Sequence, residues 1–569
     1  MICFRWLPLL GISAGLCLAA DPTSVILISI DTLRADHLSA YGYRRIHTPN
    51  IDSFAQQGTL FSNVESQVPL TLPSHTSLFT STYPFENQIE ENAERVPPGR
   101  VTLASVLRSH GYKTAAFIGS VFLESEMGLD QGFDLYDSPF HFEAFSPISG
   151  SMFFGGAGRN QYAVRDRRDG ALVLGAARRW LAANAIQRDA GVFVFAHLFD
   201  LHKPYIRAGY DAELAYTDQI LGAFKQALIQ SGWWQRSLVM LLSDHGESLG
   251  DHGEDSHGYF IYESTLRVPL IVHWPDGAPG RPVRDDRPAG LMDVAPTILD
   301  FLHIALPPSF EGRSLHDASS DVSGDASGDA SNSRGVYSES LYAYDGFGWA
   351  PLRSLREGAY KYIDAPGPEL YNLAADPHEQ INLYGKDSAR ARDLKSELRK
   401  LLASHAPKQP ATPASISPRT RALLASLGYL SGGPHTAAGA AMPDPKQRLP
   451  EYRLYELAQS LLYDRHLEEA AIIFRQILAR DPKNTLARRD LGGTYVEQHL
   501  YAKARACFET VVAAAPDDYM AQFELGIADK NLGLTNEALE HLQIACKVAP
   551  KAQQCRRELD AVGKDSPLR

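Results

Sequence analysis

The sequence predicts an α/β protein, a mainly parallel sheet sandwiched by helices, followed by an all-α repeat region. Three observations carry this reading. Short β-branched runs alternate with longer stretches of helical periodicity, the pattern of a parallel sheet covered on both faces. Titratable residues stand directly after those runs, where ligands meet the carboxyl ends of parallel strands. Beyond residue 450, small and apolar residues recur with a period of 34. At 569 residues the chain is long enough for two or more domains, because single cores rarely grow past about 250–300 residues. A net charge of −12 without a long Lys/Arg run argues against a nucleic-acid partner.

Residues 1–20 read as an export signal: Arg5 gives the positive start, an apolar run follows from Trp6, and Leu18-Ala19-Ala20 precede Asp21. The expected location is periplasmic or extracellular, with membrane association only through the N-terminus. No later stretch is long and apolar enough to span a bilayer. Cys3 and Cys17 lie in the signal, and Cys507, Cys546 and Cys555 are distant from every candidate site residue. That excludes a cysteine nucleophile or a zinc–thiolate centre. After export, Cys546 and Cys555 can pair as a disulfide.

Residues 24–30 (SVILISI) predict a buried strand ending at Asp31. Thr48-Pro49 opens a helix that should end at Gly58. The stretch 68–77 (VPLTLPSHTS) holds Thr71 between two prolines. Pro73 should push Leu72 out of the α region, so a sharp turn is expected just after Thr71, with a helix from residue 74. That places the Thr71 hydroxyl at a helix N-terminus, where backbone N–H groups favour an anion. Helices are predicted at 103–110 and 171–183, and strands at 114–118, 192–196, 238–242 and 268–273. The strand at 192–196 runs into His197, Asp200, His202 and Lys203, and the one at 238–242 into Asp244, His245 and Glu247. Residues 317–333 are low-complexity and read as a loop, 388–405 as a helix, and 406–449 as a Pro/Ala-rich linker with a short docking helix at 419–430.

Asp31, Thr71, Asp244 and His245 therefore gather at strand ends. Two carboxylates and an imidazole suit one divalent cation, zinc or manganese better than magnesium or calcium, with the Thr71 oxygen as a further ligand. Such an ion would help deprotonate Thr71, a poor nucleophile at its free pKa. His202 and His257 are then placed to bind ester oxygens or protonate a leaving group. A second ion would need Asp200 and His202, whose spacing fits poorly, so one ion is expected.

These residues also carry a resemblance. SIDTLRAD from Ser29, TPNIDSFAQQGTLFSN from Thr48, PLTLPSHTSLFT from Pro69, SDHGESLGDHGE from Ser243, HGYFIYESTLRVPLIV from His257 and ELYNLAADPHEQINL from Glu369 stand in the order found in the sulfatase family of the alkaline phosphatase superfamily. The chain resembles that family over residues 24–385. The resemblance implies an alkaline-phosphatase-like sheet and a metal-dependent ester hydrolase with a covalent intermediate on the loop nucleophile. Its implied substrate-contacting set is Arg34, His75, His202 and His257. The departures are equally specific. Family sulfatases carry Cys or Ser, oxidised to formylglycine, in a Cys/Ser-x-Pro-Ser-Arg motif; here Thr71 and His75 hold the first and last positions, and threonine cannot be so oxidised. The paired Asp-Asp of the calcium site is Asp31-Thr32, and the later lysine is His257. Unmodified Thr71 looks more like the phosphodiesterases and phosphoglycerol transferases of the superfamily.

In the C-terminal part, Ala470, Ala504 and Ala538 are 34 apart, as are Pro482, Pro516 and Pro550. This resembles three tetratricopeptide repeats over 450–560, whose concave face usually takes a protein or peptide. The expected layout is a signal at 1–20, a catalytic domain at 21–405, the linker and the repeats. The expected activity is hydrolysis of a phosphate or sulfate ester, preferably a phosphoester, with the repeats adding nothing to the site. A catalytically weak scaffold that binds an envelope protein is the competing expectation.

Overall fold

The computed structural model describes residues 23–140, 167–184, 190–276, 278, 284–316, 335–406, 442–548 and 553–564. The expected signal, the 317–333 loop and the 419–430 helix lie outside the described residues. Nine strands form the main sheet: β1 (Ser24–Ile30), β2 (Thr59–Glu65), β3 (Lys113–Phe117), β4 (Leu135–Asp137), β5 (Val192–Leu198), β6 (Ser237–Leu242), β7 (Arg267–His273), β8 (Arg284–Asp285) and β9 (Ala289–Gly290). Their order is β4-β3-β5-β1-β6-β7-β2-β8, with β9 beside β2. All pairs are parallel except those of β7, which runs antiparallel to β6 and β2.

The period of two along each strand divides the core cleanly. Val25, Leu27, Phe193, Phe195, Leu238, Met240 and Leu242 bury one face against the Thr71–Thr80 and Leu103–Ser109 helices. Ile26, Ile28, Ile30, Val194, Ala196, Leu198, Val239 and Leu241 bury the other against the Pro49–Gln56, Gly170–Asn184 and Tyr210–Gln230 helices. Both faces being apolar is why these strands read as continuous β-branched runs rather than alternating ones.

Two local readings are corrected. The helix begins at Thr71, not at Ser74, and Leu72 and Pro73 lie inside its first turn, with extended Leu70 (φ −143°, ψ 143°) as N-cap. Proline is tolerated there because its missing N–H has no intrahelical partner anyway. The turn therefore precedes Thr71, and the orphan Leu72 N–H donates to Asn92 Oδ1 at 2.8 Å. The strand predicted at 192–196 continues through His197 and Leu198, which moves His197 from a loop into the sheet.

A second, antiparallel sheet that the sequence did not announce follows, β10 (Val336–Ser340), β11 (Leu352–Glu357), β12 (Tyr360–Asp364) and β13 (Glu369–Asn372). The Ser388–Ser404 helix covers it with Ala391, Leu394 and Leu398. Buried charges tie this sheet to the first: Arg356 reaches Glu65 on β2 at 2.6 Å, and Lys361 meets Glu263 and Glu379 at 3.0 Å each. Burial alone would lower the Lys361 pKa, but Glu379, Glu263 and Glu65 outweigh it and raise it.

Three helix pairs follow, Leu449–Tyr463 with Leu467–Arg480, Thr485–Glu497 with Tyr501–Ala514, and Tyr519–Asn531 with Thr535–Val548, then Gln553–Lys564. The periodic small residues have a steric cause. A Cβ on Gly492 would stand 2.8 Å from Phe508 Cζ, and one on Gly526 2.7 Å from Leu542 Cγ. Cys546 and Cys555 form a disulfide. Among the described residues no helix is long and apolar enough to cross a membrane.

The stack is docked. Tyr452 lies flat on Tyr259 (centroids 4.0 Å, 9°), Tyr259 Oη donates to Pro445 O at 2.6 Å, and Arg453 Nε donates to Gly253 O at 2.7 Å. Phe347 packs between Trp349 and Tyr455. The stack thus packs on residues 253–259, in the loop that carries His257, and supplies none of the side chains gathered around Thr71. Linker composition sets chain stiffness and says nothing of what the next helix can bury.

Candidate active site

Three adjacent strands build the site. β1 lies between β5 and β6, with Ser29 in register with His197 and Leu242. Asp31 follows β1, its N–H bonded to Leu198 O at 2.9 Å, and Asp244 follows β6. Alternation puts Ser29, Asp31 and His197 on the face that the Thr71–Thr80 helix covers.

Thr71 occupies the first position of that helix, and its hydroxyl donates to Asp31 Oδ2 at 3.1 Å. His245 Nε2 lies 3.5 Å from the same oxygen. His245 Nδ1 faces Gly246 O at 3.0 Å, and a carbonyl can only accept, so the proton sits on Nδ1 and Nε2 presents a lone pair. Asp244 Oδ1 accepts from the N–H groups of His245 (2.9 Å) and Thr32 (3.4 Å), while Asp244 Oδ2 stands 3.6 Å from His245 Nε2. Thr32 holds φ +57°, a left-handed conformation rare for a β-branched residue, and Tyr210 Oη donates to its carbonyl at 2.8 Å.

Asp31, Thr71, Asp244, His245 and His197 are all wholly buried. Burial pushes the Asp31 carboxyl up to about 6, partly offset by His245 and Thr71, and burial followed by Asp31 raises Asp244. Burial lowers His75 and His197 to about 4, leaving both neutral near pH 7. Asp31 Oδ1 and Asp244 Oδ2 have no hydrogen-bond partner among the described residues. Two buried carboxylates without a counter-charge are costly unless a cation sits between them. The residues fit a divalent ion: donor atoms of Asp31, Asp244 and His245 lie within 4.8 Å of one another, as do those of His75, His197 and Asp244.

The structure brings together Asp31, Thr71, Asp244 and His245, and sets His257 and His202 beside them. The His257 ring is 4.5 Å from His245 and 5.0 Å from His202, and His257 Nδ1 is 3.3 Å from the buried Glu247 Oε1. His202 stacks on Phe199 (4.3 Å, 18°), with Nδ1 on Lys203 O; burial, then His257 and Arg167, hold its pKa well below the usual imidazole range.

Arg34, His75 and Asp200 each make defined contacts with the protein. All the N–H donors of Arg34 are engaged, by Asp36, Asp251 and the carbonyls of Glu247 and Ser248, so it fastens the 247–251 loop. His75 donates from Nδ1 to Thr71 O at 2.7 Å and accepts at Nε2 from Ser29 Oγ at 3.0 Å. It locks the helix's first turn onto β1, behind Thr71. Asp200 Oδ1 accepts from Gly170 N at 3.2 Å, at the start of the Gly170–Asn184 helix, so Asp200 and His202 do not form a second ion site. Sequence reasoning named His197 and Glu247 at strand ends without giving either a role, and did not name Asn92. The alternation Phe193, Phe195, His197 was the available signal for the first.

Known proteins are similar to this chain in sequence and fold. The sulfatase family model matches residues 23–304, that of the N-sulphoglucosamine sulphohydrolase C-terminal region residues 250–408, and that of the tetratricopeptide repeat residues 461–525. An ulvan-active sulfatase of Formosa agariphila is 24% identical, over 67% of this chain and 82% of that protein. An arylsulfatase of Clostridium perfringens is 25% identical, over 65% and 92%. The phosphonate monoester hydrolase of Agrobacterium radiobacter superposes with a TM-score of 0.53 at 22% identity, covering 67% of this chain and 96% of that one. A solved complex with the substrate D-glucosamine-2-N,6-O-disulfate gives 0.53 at 19%, covering 68% and 98%. The motif order, the strand-end site and these matches converge: this chain belongs to the sulfatase family, on the alkaline-phosphatase-like fold, with tetratricopeptide repeats behind it.

Proposed function

We propose that the chain is a metal-dependent phosphoester hydrolase that uses unmodified Thr71 as nucleophile. The observation that carries this is Thr71 itself, its oxygen at a helix N-terminus, 3.1 Å from Asp31 and 3.5 Å from His245. A divalent cation held by Asp31, Asp244 and His245, when bound, would supply positive charge that lowers the hydroxyl pKa and draws charge from the ester oxygens. Asp31 Oδ2 accepts the Thr71 hydrogen bond and is placed to take its proton. Thr71 Oγ then bonds to phosphorus as the leaving oxygen departs, taking a proton from His257, which Glu247 orients. Water next gives a proton to His257 and attacks phosphorus, and the Thr71 oxygen leaves and regains its proton from Asp31. A transferase would use another hydroxyl in place of that water.

The choice of phosphorus follows from the side chain. A hydrated formylglycine carries a second hydroxyl on the same carbon and can expel sulfate. A threonyl ester has none, so release needs attack at the central atom. Sulfate esters are the second reading, favoured by the relatives named as sulfatases. The Cys546–Cys555 disulfide supports an oxidising, extracytoplasmic setting. The exposed surface of the repeats is the proposed contact for a protein or peptide partner.

The test is a panel of phosphate monoesters, phosphate diesters and sulfate esters, assayed with metal-loaded wild type and Thr71→Ala. The expected result is a phosphoester as best substrate and its loss in the variant. A sulfate ester turned over faster, with Thr71→Ala equally active, would overturn the proposal. Metal binding without turnover of any ester would favour the scaffold reading.

A further inference from the structure

We propose that His197 is a ligand of the same metal centre, making its donor set nitrogen-rich and selective for zinc-type ions over calcium. This rests on the metal reading above. His75, His202 and His245 each place Nδ1 on a backbone carbonyl. His197 places neither nitrogen on anything: both are buried without a hydrogen-bond partner among the described residues, and the side chain is wholly buried. Phe195, Phe199 and the His75 ring, whose two nitrogens are already bonded, pack around it.

What His197 does face is the carboxylate pair. Its Nε2 is 3.4 Å from Asp31 Oδ2, and a nitrogen of the ring lies within 4.8 Å of an Asp244 oxygen. The atoms then run in sequence: His197 Nε2 to Asp31 Oδ2 (3.4 Å), to Thr71 Oγ1 (3.1 Å), to His245 Nε2 (3.5 Å), to Asp244 Oδ2 (3.6 Å). Donors about 2.1 Å from a common ion stand roughly 3.0–3.4 Å apart in octahedral or tetrahedral sets. The neighbouring spacings approach those of ligands on a common ion, and Asp244 joins His197 on one side to Asp31 and His245 on the other. His75 is excluded although it is near, because Thr71 O and Ser29 Oγ occupy its nitrogens. Two imidazoles, two carboxylates and a hydroxyl suit zinc, cobalt or iron, whereas calcium takes oxygen ligands throughout.

The test uses full-length protein stripped with chelator and reloaded with Co²⁺, then challenged with Zn²⁺ or Ca²⁺. In wild type, cobalt X-ray absorption should count two imidazoles, Zn²⁺ should displace the ion, and millimolar Ca²⁺ should not. His197→Gln and His197→Asn should each weaken Co²⁺ affinity by at least about 10-fold and shift its visible d–d bands. His75→Gln should leave those bands in place. One imidazole in wild type, or wild-type affinity and bands in both His197 variants, would overturn the proposal while leaving the metal reading intact. Failure of wild type to bind Co²⁺ more tightly than Asp244→Ala would instead remove the metal reading, and this inference with it.

Discussion

A threonine hydroxyl is almost wholly protonated at neutral pH, so Thr71 reacts only if its surroundings hold the oxygen in place and draw off its proton. Asp31 and His245 are within 3.5 Å of it, at the positive end of a ten-residue helix. Thr71→Ala should therefore lower kcat by about 10³-fold or more, with the unfolding temperature and metal content near wild type. Thr71→Ser keeps the oxygen and should retain part of the rate. Both are read from steady-state kinetics beside metal analysis. These residues were legible in the sequence because a carboxylate or Asp-His pair directly after an apolar strand run has few structural reasons to be there. The contacts of Arg34 and His75 were not legible, because motif position gives a location along the chain, not what the side chain bonds to once folded. His197 was given no role because a strand's end cannot be fixed to one residue, and a histidine one step inside it changes from loop residue to site residue.

Elements fix the spacing of these side chains. β1, β5 and β6 bring Asp31, His197 and Asp244 side by side at their carboxyl ends, and the Arg356–Glu65 contact holds the second sheet against the first. Lys361 is wholly buried. Replacing it by Met leaves Glu379 in the interior without its cation and Glu263 with Arg356 alone at 3.6 Å, and should cost about 3 kcal/mol of stability, measured by denaturant unfolding. A loss under about 1 kcal/mol would show that the carboxylates find other partners. The main sheet was readable because strands buried on both faces are strongly patterned. The antiparallel sheet at 336–372 was not, since its strands are short and mix charged with apolar residues. Pro73 misled for a related reason: its helix-breaking effect vanishes within a first turn.

At the scale of the whole molecule, the first repeat helix is part of the wall around the site. Glu456 on that helix keeps Oε2 without a hydrogen-bond partner among the described residues, and burial, then Asp255 and Glu247, push its carboxyl up to about 7 from an ordinary 4.5. A carboxyl raised by folding destabilises the fold above its folded pKa, and the penalty fades as pH falls toward the unfolded value. Glu456→Gln should therefore raise the unfolding temperature at pH 8 and change it little at pH 5. An equal shift at both would show that charge is not the cause. Tyr452→Ala, which removes the ring stacked on Tyr259, should loosen the loop bearing His257 and lower kcat without altering metal content. A chain cut after residue 405 should lose rate for the same reason, against the expectation from linker composition.

The most direct test of the account is to quench metal-loaded enzyme in acid during turnover of a phosphoester labelled with radioactive phosphorus. The account predicts label retained on the peptide containing Thr71, lost in Thr71→Ala and present in Thr71→Ser. Rapid turnover with no label on the chain, or label on a different residue, would contradict it.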